Sequence, residues 1–355
     1  MADIKMLNKK YEQAYKDMLN HCPEAMFSHS VKYRDLLSDF LNCEPFYIIA
    51  LGKGEVIGAI PAFLKENKRN GNILNSLPFF GSHGGLLVSS ELDANTKVET
   101  KRLLLDSFNA LAKEKDCIIS TVITSPFDSD ISFYEGNLAY GYMDKRVAPI
   151  VEFRDGIKDA EHEIMYNIIE PSNRRAIRRP LKHGIAFEFS RDFKPLFEMN
   201  NANISAKGGN VQPMGYFERI PDFLESKDYD LMYAKKDGTI IAGLLLFYFK
   251  NVVNYSVPAQ RVEYSIEQGT SLLIYEGMKK AINNGYKYWN FGGTSESQQS
   301  LHRFKARWGT RDCPYYYYIV QYRNIDHILA MKPQDILEEY KWFYVLPFAG
   351  LKARN

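Results

Sequence analysis

The sequence predicts a mixed α/β (α+β) fold built twice from one run of elements, with largely antiparallel sheets flanked by helices. Three observations carry that expectation. Residues 50–63 and 234–247 are self-similar, with alanine, glycine, isoleucine and phenylalanine recurring at matching places. Each copy is followed by another strand candidate, an amphipathic helix and a further strand. The longest apolar run, Ile240–Phe249, is too short to cross a bilayer and reads as a buried strand.

Composition suits such a fold. A chain of 355 residues accommodates two domains, expected at 1–150 and 151–330 with a tail at 331–355. An apolar share of 45% and a charged share of 25% are those of a globular protein. The net charge of +2 provides no global field to recruit nucleic acid or an anionic membrane, so such partners need a local patch. Cys22, Cys43, Cys117 and Cys313 form no CxxC pair, which points to reduced thiols rather than a disulfide framework or a metal site. The polar, charged start does not read as a signal peptide, and a cytoplasmic location is expected.

In chain order, Gly52-Lys53-Gly54 supplies a tight turn between apolar runs and makes residues 50–63 a hairpin. Leu104, Phe108 and Leu111 mark a helix, and Cys117 to Ile123 a strand. The charged stretch 155–188 is expected to be helical. Within it lies the one dense basic cluster, Asn173 to Gly184. There Arg174, Arg178 and Lys182 align at helical spacing, with Arg175, Arg179 and His183 beside them and Ile177 and Leu181 opposite. Pro180 is expected to kink or end that helix. Such a face can hold phosphates or an RNA backbone, or be a solvated helix edge. Lys236-Asp237-Gly238 turns the second hairpin, Ile274, Met278 and Ile282 mark the second helix, and Gly285 stops it. The strand Tyr286 to Phe291 then runs into Gly292-Gly293, glycines that let a ligand approach the backbone. Ser295 and Gln298 match a capping box, and Leu301, Phe304 and Trp308 recur as the apolar edge of the last helix. Lys305 falls at the boundary of that edge, able to aim its ammonium into a pocket.

The duplicated hairpin–strand–helix–strand order resembles tandem GNAT-type acyltransferase domains. With it, the segments NRRAIRRPLKHGI, GYKYWNFGG and LHRFKARWG resemble the Fem family, nonribosomal aminoacyl transferases that extend peptidoglycan cross-bridges. The resemblance implies two GNAT-like domains with a cleft between them, no metal, no tightly bound cofactor, and acyl transfer to an amine. Phe304-Lys305 occupies the family's F-K motif, so the role of stabilising the reacting carbonyl carries over to Lys305. The chain lacks the long coiled-coil insertion of several members, and Ser30 to Leu37 matches the family's nucleotide-sugar contact region poorly, which leaves the acceptor open.

Amine attack on an activated carbonyl needs a neutral amine, an oxyanion stabiliser and a proton route. An α-amine of pKa near 8 is roughly a tenth neutral at pH 7, whereas a lysine amine is about one part in 2,500 neutral. His83, in a glycine-flanked loop, is a candidate base, with Glu296 and His302 as weaker alternatives. Arg174, Arg175, Arg178, Gly292, Gly293 and Arg303 are candidate substrate-binding residues. Gln268, Gly269 and Thr270 stand where a GNAT enzyme would cradle a pyrophosphate, but one glycine replaces the usual pair of small residues. The expected donor is aminoacyl-tRNA or acyl-CoA, and the expected acceptor a small-molecule or lipid-linked amine. A noncatalytic module binding RNA or phosphate through the basic helix is the rival from another class. Tyr315 to Tyr318 are expected as a buried edge strand with two wet tyrosines, and the tail 342–348 is expected either to dock onto the protein or to touch a membrane.

Overall fold

The structure, a computed structural model, describes residues 2–78, 82–206, 211–295 and 297–347. Two compact units emerge, Met1–Arg146 together with Pro314–Asn355, and Val147–Cys313. This division departs from the expected 1–150, 151–330 and 331–355, because the chain returns to the first unit. Tyr317 to Gln321 pair antiparallel with Ile123 to Ile119. The tail follows: Tyr344 N donates to Asn75 Oδ1 at 2.7 Å, Asn75 Nδ2 to Tyr344 O at 2.9 Å, and Tyr340 Oη to Gly71 O at 2.9 Å.

In the first unit, strands Asp3–Met6, Ile48–Gly52, Glu55–Ile60 and Leu87–Val88 neighbour one another in that order, all antiparallel. Phe63–Lys65 pairs antiparallel with Asn72–Asn75, which runs parallel to Cys117–Ile123. The helix Ala94–Glu114, N-capped by the Asp93 carboxylate, makes the crossover between those parallel strands. It buries Leu104, Leu105, Phe108 and Leu111, each side chain contributing roughly 1.5–3 kcal/mol of apolar burial.

The second unit repeats the plan. Ala186–Ser190, Tyr229–Lys236, Thr239–Phe249 and Val252–Gln260 are successive antiparallel neighbours. Helix Gly269–Asn283 crosses over to Tyr288–Asn290, which lies parallel to Val252–Gln260 and antiparallel to Ile150–Glu152. Trp289 and Trp308 are fully buried in this unit's core.

The duplication extends to backbone detail. Lys53 and Gly54 have φ of 53° and 88°, and Asp237 and Gly238 have 49° and 79°, so both hairpins turn through two left-handed residues. In each the pairing register then slips by one residue, leaving Ile57 unpaired in one copy and Ile241 in the other. Those isoleucines occupy matching places in the two self-similar segments.

Several local expectations are corrected. Pro180 does not end the basic helix, which runs Pro171–Lys182 with the proline buried two residues from its end. Leu181 lies outside the core at 52% exposed, whereas Ile177 is buried. Only one of the four consecutive tyrosines is wet, since Tyr315, Tyr317 and Tyr318 are buried. Phe343 to Leu346 are buried within the first unit and are not free to insert into a membrane, and Phe348 lies outside the described residues. No helix among the described residues is long and apolar enough to cross a membrane.

The last helix of the second unit is locked at its end. Gly309 has φ of +75°, and a Cβ there would collide with the backbone carbonyl of Ile168. Glu170 N and Asn173 Nδ2 both donate to Arg307 O, at 3.0 and 3.1 Å, which ties the basic helix to the same spot. Gly309→Ala is therefore expected to destabilise the protein by about 2–4 kcal/mol, read as a lowered urea midpoint at unchanged m-value.

Candidate active site

The second unit holds the chemistry-bearing segment the sequence singled out. Tyr288–Asn290 pairs with Val252–Gln260 only from Val252↔Tyr288 to Asn254↔Asn290. Beyond that point the two strands lose each other. Residues 291 and 294 bond instead to Pro149 O and Val147 O, at 3.0 and 2.8 Å, while Val252–Gln260 stays with Thr239–Phe249. A bulge at Ser256, between Leu246↔Tyr255 and Leu245↔Val257, bends the strand at this opening. An ideal Cβ on Gly292 would have only Tyr255 O within 4 Å, at 3.8 Å, so the loop faces little besides open space.

Lys305 closes this loop from behind. The helix runs Gln299–Ala306, and Lys305 is the residue it buries, at 3% exposed. Its ammonium donates to Gly292 O at 2.9 Å, Gly293 O at 3.2 Å and Thr294 Oγ1 at 3.0 Å. An ammonium has three protons, so all three are engaged. Among the described residues no carboxylate pairs with it, and burial pulls its pKa down to about 8. Gly292 N bonds Asn290 Oδ1 at 2.9 Å, but the Gly293 N–H has no protein acceptor among the described residues. The arrangement is a buried cation held by peptide dipoles beneath a loop with one uncommitted amide.

The sequence placed Lys305 at the wet margin of its helix and the structure places it inside, while Leu301, expected inside, is 38% exposed. The helix is rotated from its hydrophobic pattern because the loop's carbonyls accept the ammonium. Phe304 packs against the core beside it, and Arg303 is exposed. The capping box is half realised: Ser295 N donates to Gln298 Oε1 at 3.2 Å, but Ser295 Oγ turns to Ser297 and the helix starts at Gln299. His302 Nε2 is held by Asp312 at 2.8 Å, and Glu296 lies outside the described residues.

His83 belongs to the first unit and is not the accessible loop residue its glycines suggested. It is 2% exposed, its Nδ1 lies 3.1 Å from Thr124 O, and its ring meets Tyr315 edge-on at 4.6 Å. The carbonyl can only accept, which places a proton on Nδ1, while burial disfavours a second proton on the ring. Burial lowers its pKa to about 4, too low for an effective base toward an amine at neutral pH.

On the basic helix, Arg175, Arg178, Arg179 and Lys182 are exposed and form no ion pair among the described residues. Arg174 lies half-buried with its guanidinium 5.2 Å from the centre of the Tyr166 ring. Gln268, at φ 58°, precedes helix Gly269–Asn283. Its side chain accepts from Ser271 Oγ and donates to Ser265 O, while Thr270 Oγ1 donates to Gln260 Oε1 at 2.9 Å. A Cβ on Gly269 would come within 3.0 Å of Ala242 Cβ, so packing alone accounts for that glycine.

No residue pattern marked Thr294, Asn290 or the Ser256 bulge as functional, because each acts through backbone placement that only the fold creates.

Residues 224–311, which include the loop and Lys305, match the family model described as the FemAB family. No curated protein sequence matches the chain. Among solved structures, one described as FemX is similar at TM-score 0.70 with 17% identity, covering 92% of this chain and 98% of that one. A tandem GNAT protein from the clavulanic acid biosynthesis pathway is similar at TM-score 0.57 with 9% identity, covering 90% and 98%. The C-terminal domain of a putative lysylphosphatidylglycerol synthetase from Agrobacterium fabrum is similar at 0.54 with 15% identity, covering 93% and 98%. At these identities the likeness is one of fold, and it bears out the expected pair of GNAT-like units. Over residues 224–311 the chain is thus similar to the FemAB family, and over most of its length it has the fold of FemX and of tandem GNAT proteins.

Proposed function

We propose that this acyltransferase moves an aminoacyl group from aminoacyl-tRNA onto an amine of a cell-envelope precursor. The observation that carries this reading is the buried Lys305 ammonium under the Gly292–Thr294 loop, inside the family-matched segment. The acceptor amine adds to the ester carbonyl and the C–N bond forms. The C–O bond then breaks, and the proton lost by the amine ends on the ribose hydroxyl that leaves. The charge that develops on the carbonyl oxygen is met by the free Gly293 N–H as donor, and by the field of the Lys305 cation, whose three protons hold the loop that presents this amide. A positioned donor of this kind is worth roughly 10²–10³ in rate. His83, neutral and tied to Thr124, offers no strong base, which favours an acceptor whose amine is already partly neutral.

The unpaired arginines of the basic helix support an RNA donor, since exposed cations without carboxylate partners gain from phosphate. Acyl-CoA is the second reading. It is favoured by the N-terminus of the 15-residue helix Gly269–Asn283, whose first amides carry no side-chain cap. A donor screen of charged tRNAs against acyl-CoAs, with product mass as readout, tests the choice; product from acyl-CoA alone would overturn the RNA reading. In either case Lys305→Ala is expected to lower kcat about 10²–10³-fold with KM little changed, measured by steady-state kinetics on a folded variant.

The charge on Lys305 also sets two pH dependences. Activity that needs the cation is expected to fall as pH rises through about 8, and Lys305→Arg to move that limb upward, read from the pH profile of kcat/KM. Stability runs the other way. The group's pKa drops from 10.5 to about 8 on folding, so between those values the unfolded chain holds more protons and stability rises with pH. The full gain is about 3 kcal/mol above 10.5 and is lost as pH falls through about 8. Urea unfolding of wild type and Lys305→Met across that window should show the rise in the wild type alone.

A further inference from the structure

The first unit contains a cavity of about 590 Å³ that the transfer chemistry does not use. Its walls come from the end of the helix Val31–Leu41 and the turn after it, from the strand Phe63–Lys65, and from Lys341 to Phe343. The apolar side is aromatic: Phe40 and Trp342 touch at a tilt, with ring centres 6.4 Å apart and planes at 54°, and Phe46 also lines it. The polar side carries Lys65, Lys115 and Lys341.

Those cations are placed unusually. Lys115 Nζ sits 4.9 Å from the centre of the Phe46 ring and Lys341 Nζ 5.1 Å from that of Trp342. Among the described residues neither Lys65 nor Lys341 has a carboxylate within ion-pair reach, and Lys115 has only Glu114 at 3.6 Å. Glu44 and Glu66 also line the cavity, but both are exposed and neither pairs with a lysine. A ring face stabilises a cation weakly and leaves its remaining donors open to an anion.

The backbone gives a second, independent sign. Trp342 has φ of 72°, a left-handed conformation that a bulky side chain adopts only at a cost. The burial of Phe343 and Tyr344 on one side of it holds that turn in place, and the turn stands the indole in the cavity wall. Volume, an aromatic wall and three ammoniums, two of them without an ion-pair partner among the described residues, together define the ligand. At about 590 Å³ the cavity falls within the roughly 300–1,000 Å³ range of small-ligand pockets.

We propose that this cavity binds a phosphate group carried on a planar or apolar body, with the body against Trp342 and Phe40 and the phosphate between Lys65, Lys115 and Lys341. Such a ligand comes either from solution, as a nucleotide-sized phosphate ester, or from a bilayer, as an anionic phospholipid.

The test uses the full chain, adenosine monophosphate by calorimetry, and vesicles of phosphatidylcholine with or without phosphatidylglycerol by co-sedimentation. Saturable binding of the nucleotide, or of vesicles only when phosphatidylglycerol is present, is expected, and the arm that responds identifies the source. Binding should weaken with added salt. Lys341→Glu and Trp342→Gly should each weaken it by about tenfold, the loss of one charge-assisted or stacking contact. The glycine variant suits the left-handed backbone, so an unchanged unfolding midpoint shows that the fold is kept. No binding in either arm, equal binding to neutral vesicles, or binding untouched by both substitutions would overturn the proposal.

Discussion

Lys305 carries its charge at 3% exposure against two peptide oxygens and one hydroxyl. A lone buried cation is costly unless dipoles converge on it, and here they must be held in place by something other than the cation. The Gly292–Thr294 loop does this because its two ends are pinned. Asn290 Oδ1 takes the Gly292 amide, and the paired hydrogen bonds between Val147 and Thr294 fix the far end. The second unit's core, with Trp289 and Trp308, anchors the strand before the loop and the helix after it. Chemistry and packing are therefore coupled through a few backbone carbonyls.

The two units show what duplication can keep and what it can drop. Both keep the hairpin, its left-handed turn and the bulge after it. They diverge at the end of the strand that follows the crossover helix. In the second unit that strand runs into glycines that receive an ammonium. In the first it runs into Thr124, whose carbonyl receives His83 Nδ1. One copy thus buries a proton donor with a lowered pKa near neutrality, and the other an imidazole that stays neutral across the same range.

Much of this was legible in the sequence, and the remainder was hidden for identifiable reasons. Periodicity and turn chemistry gave both hairpins, both crossover helices and the basic helix, since those signals are local. The importance of Lys305 came from a resemblance, but its depth did not, because hydrophobic pattern alone put Leu301 inside. His83 looked accessible since glycines flank it, yet Ser28, Thr124 and Tyr315 bury it from segments far away in sequence. The same limit explains the misplaced boundary, for nothing local tells a reader that Tyr317 pairs with Ile123 across almost two hundred residues. Pro180 was expected to kink or end its helix, and the helix runs on past it to Lys182, with Ile185 N donating to Pro180 O at 3.0 Å beyond the end.

The matched bulges at Ile57 and Ile241 constrain how this lineage can change length. Each bulge already absorbs one extra residue, and side chains alternate between the two faces of a strand, so losing a paired residue elsewhere in either arm would turn the residues on one side of it inside out. Insertions and deletions are tolerable at the hairpin tips, where Lys53–Gly54 and Asp237–Gly238 meet solvent, but not among the paired residues of the arms. Gaps in relatives of this chain should therefore gather at the tips and spare the arms.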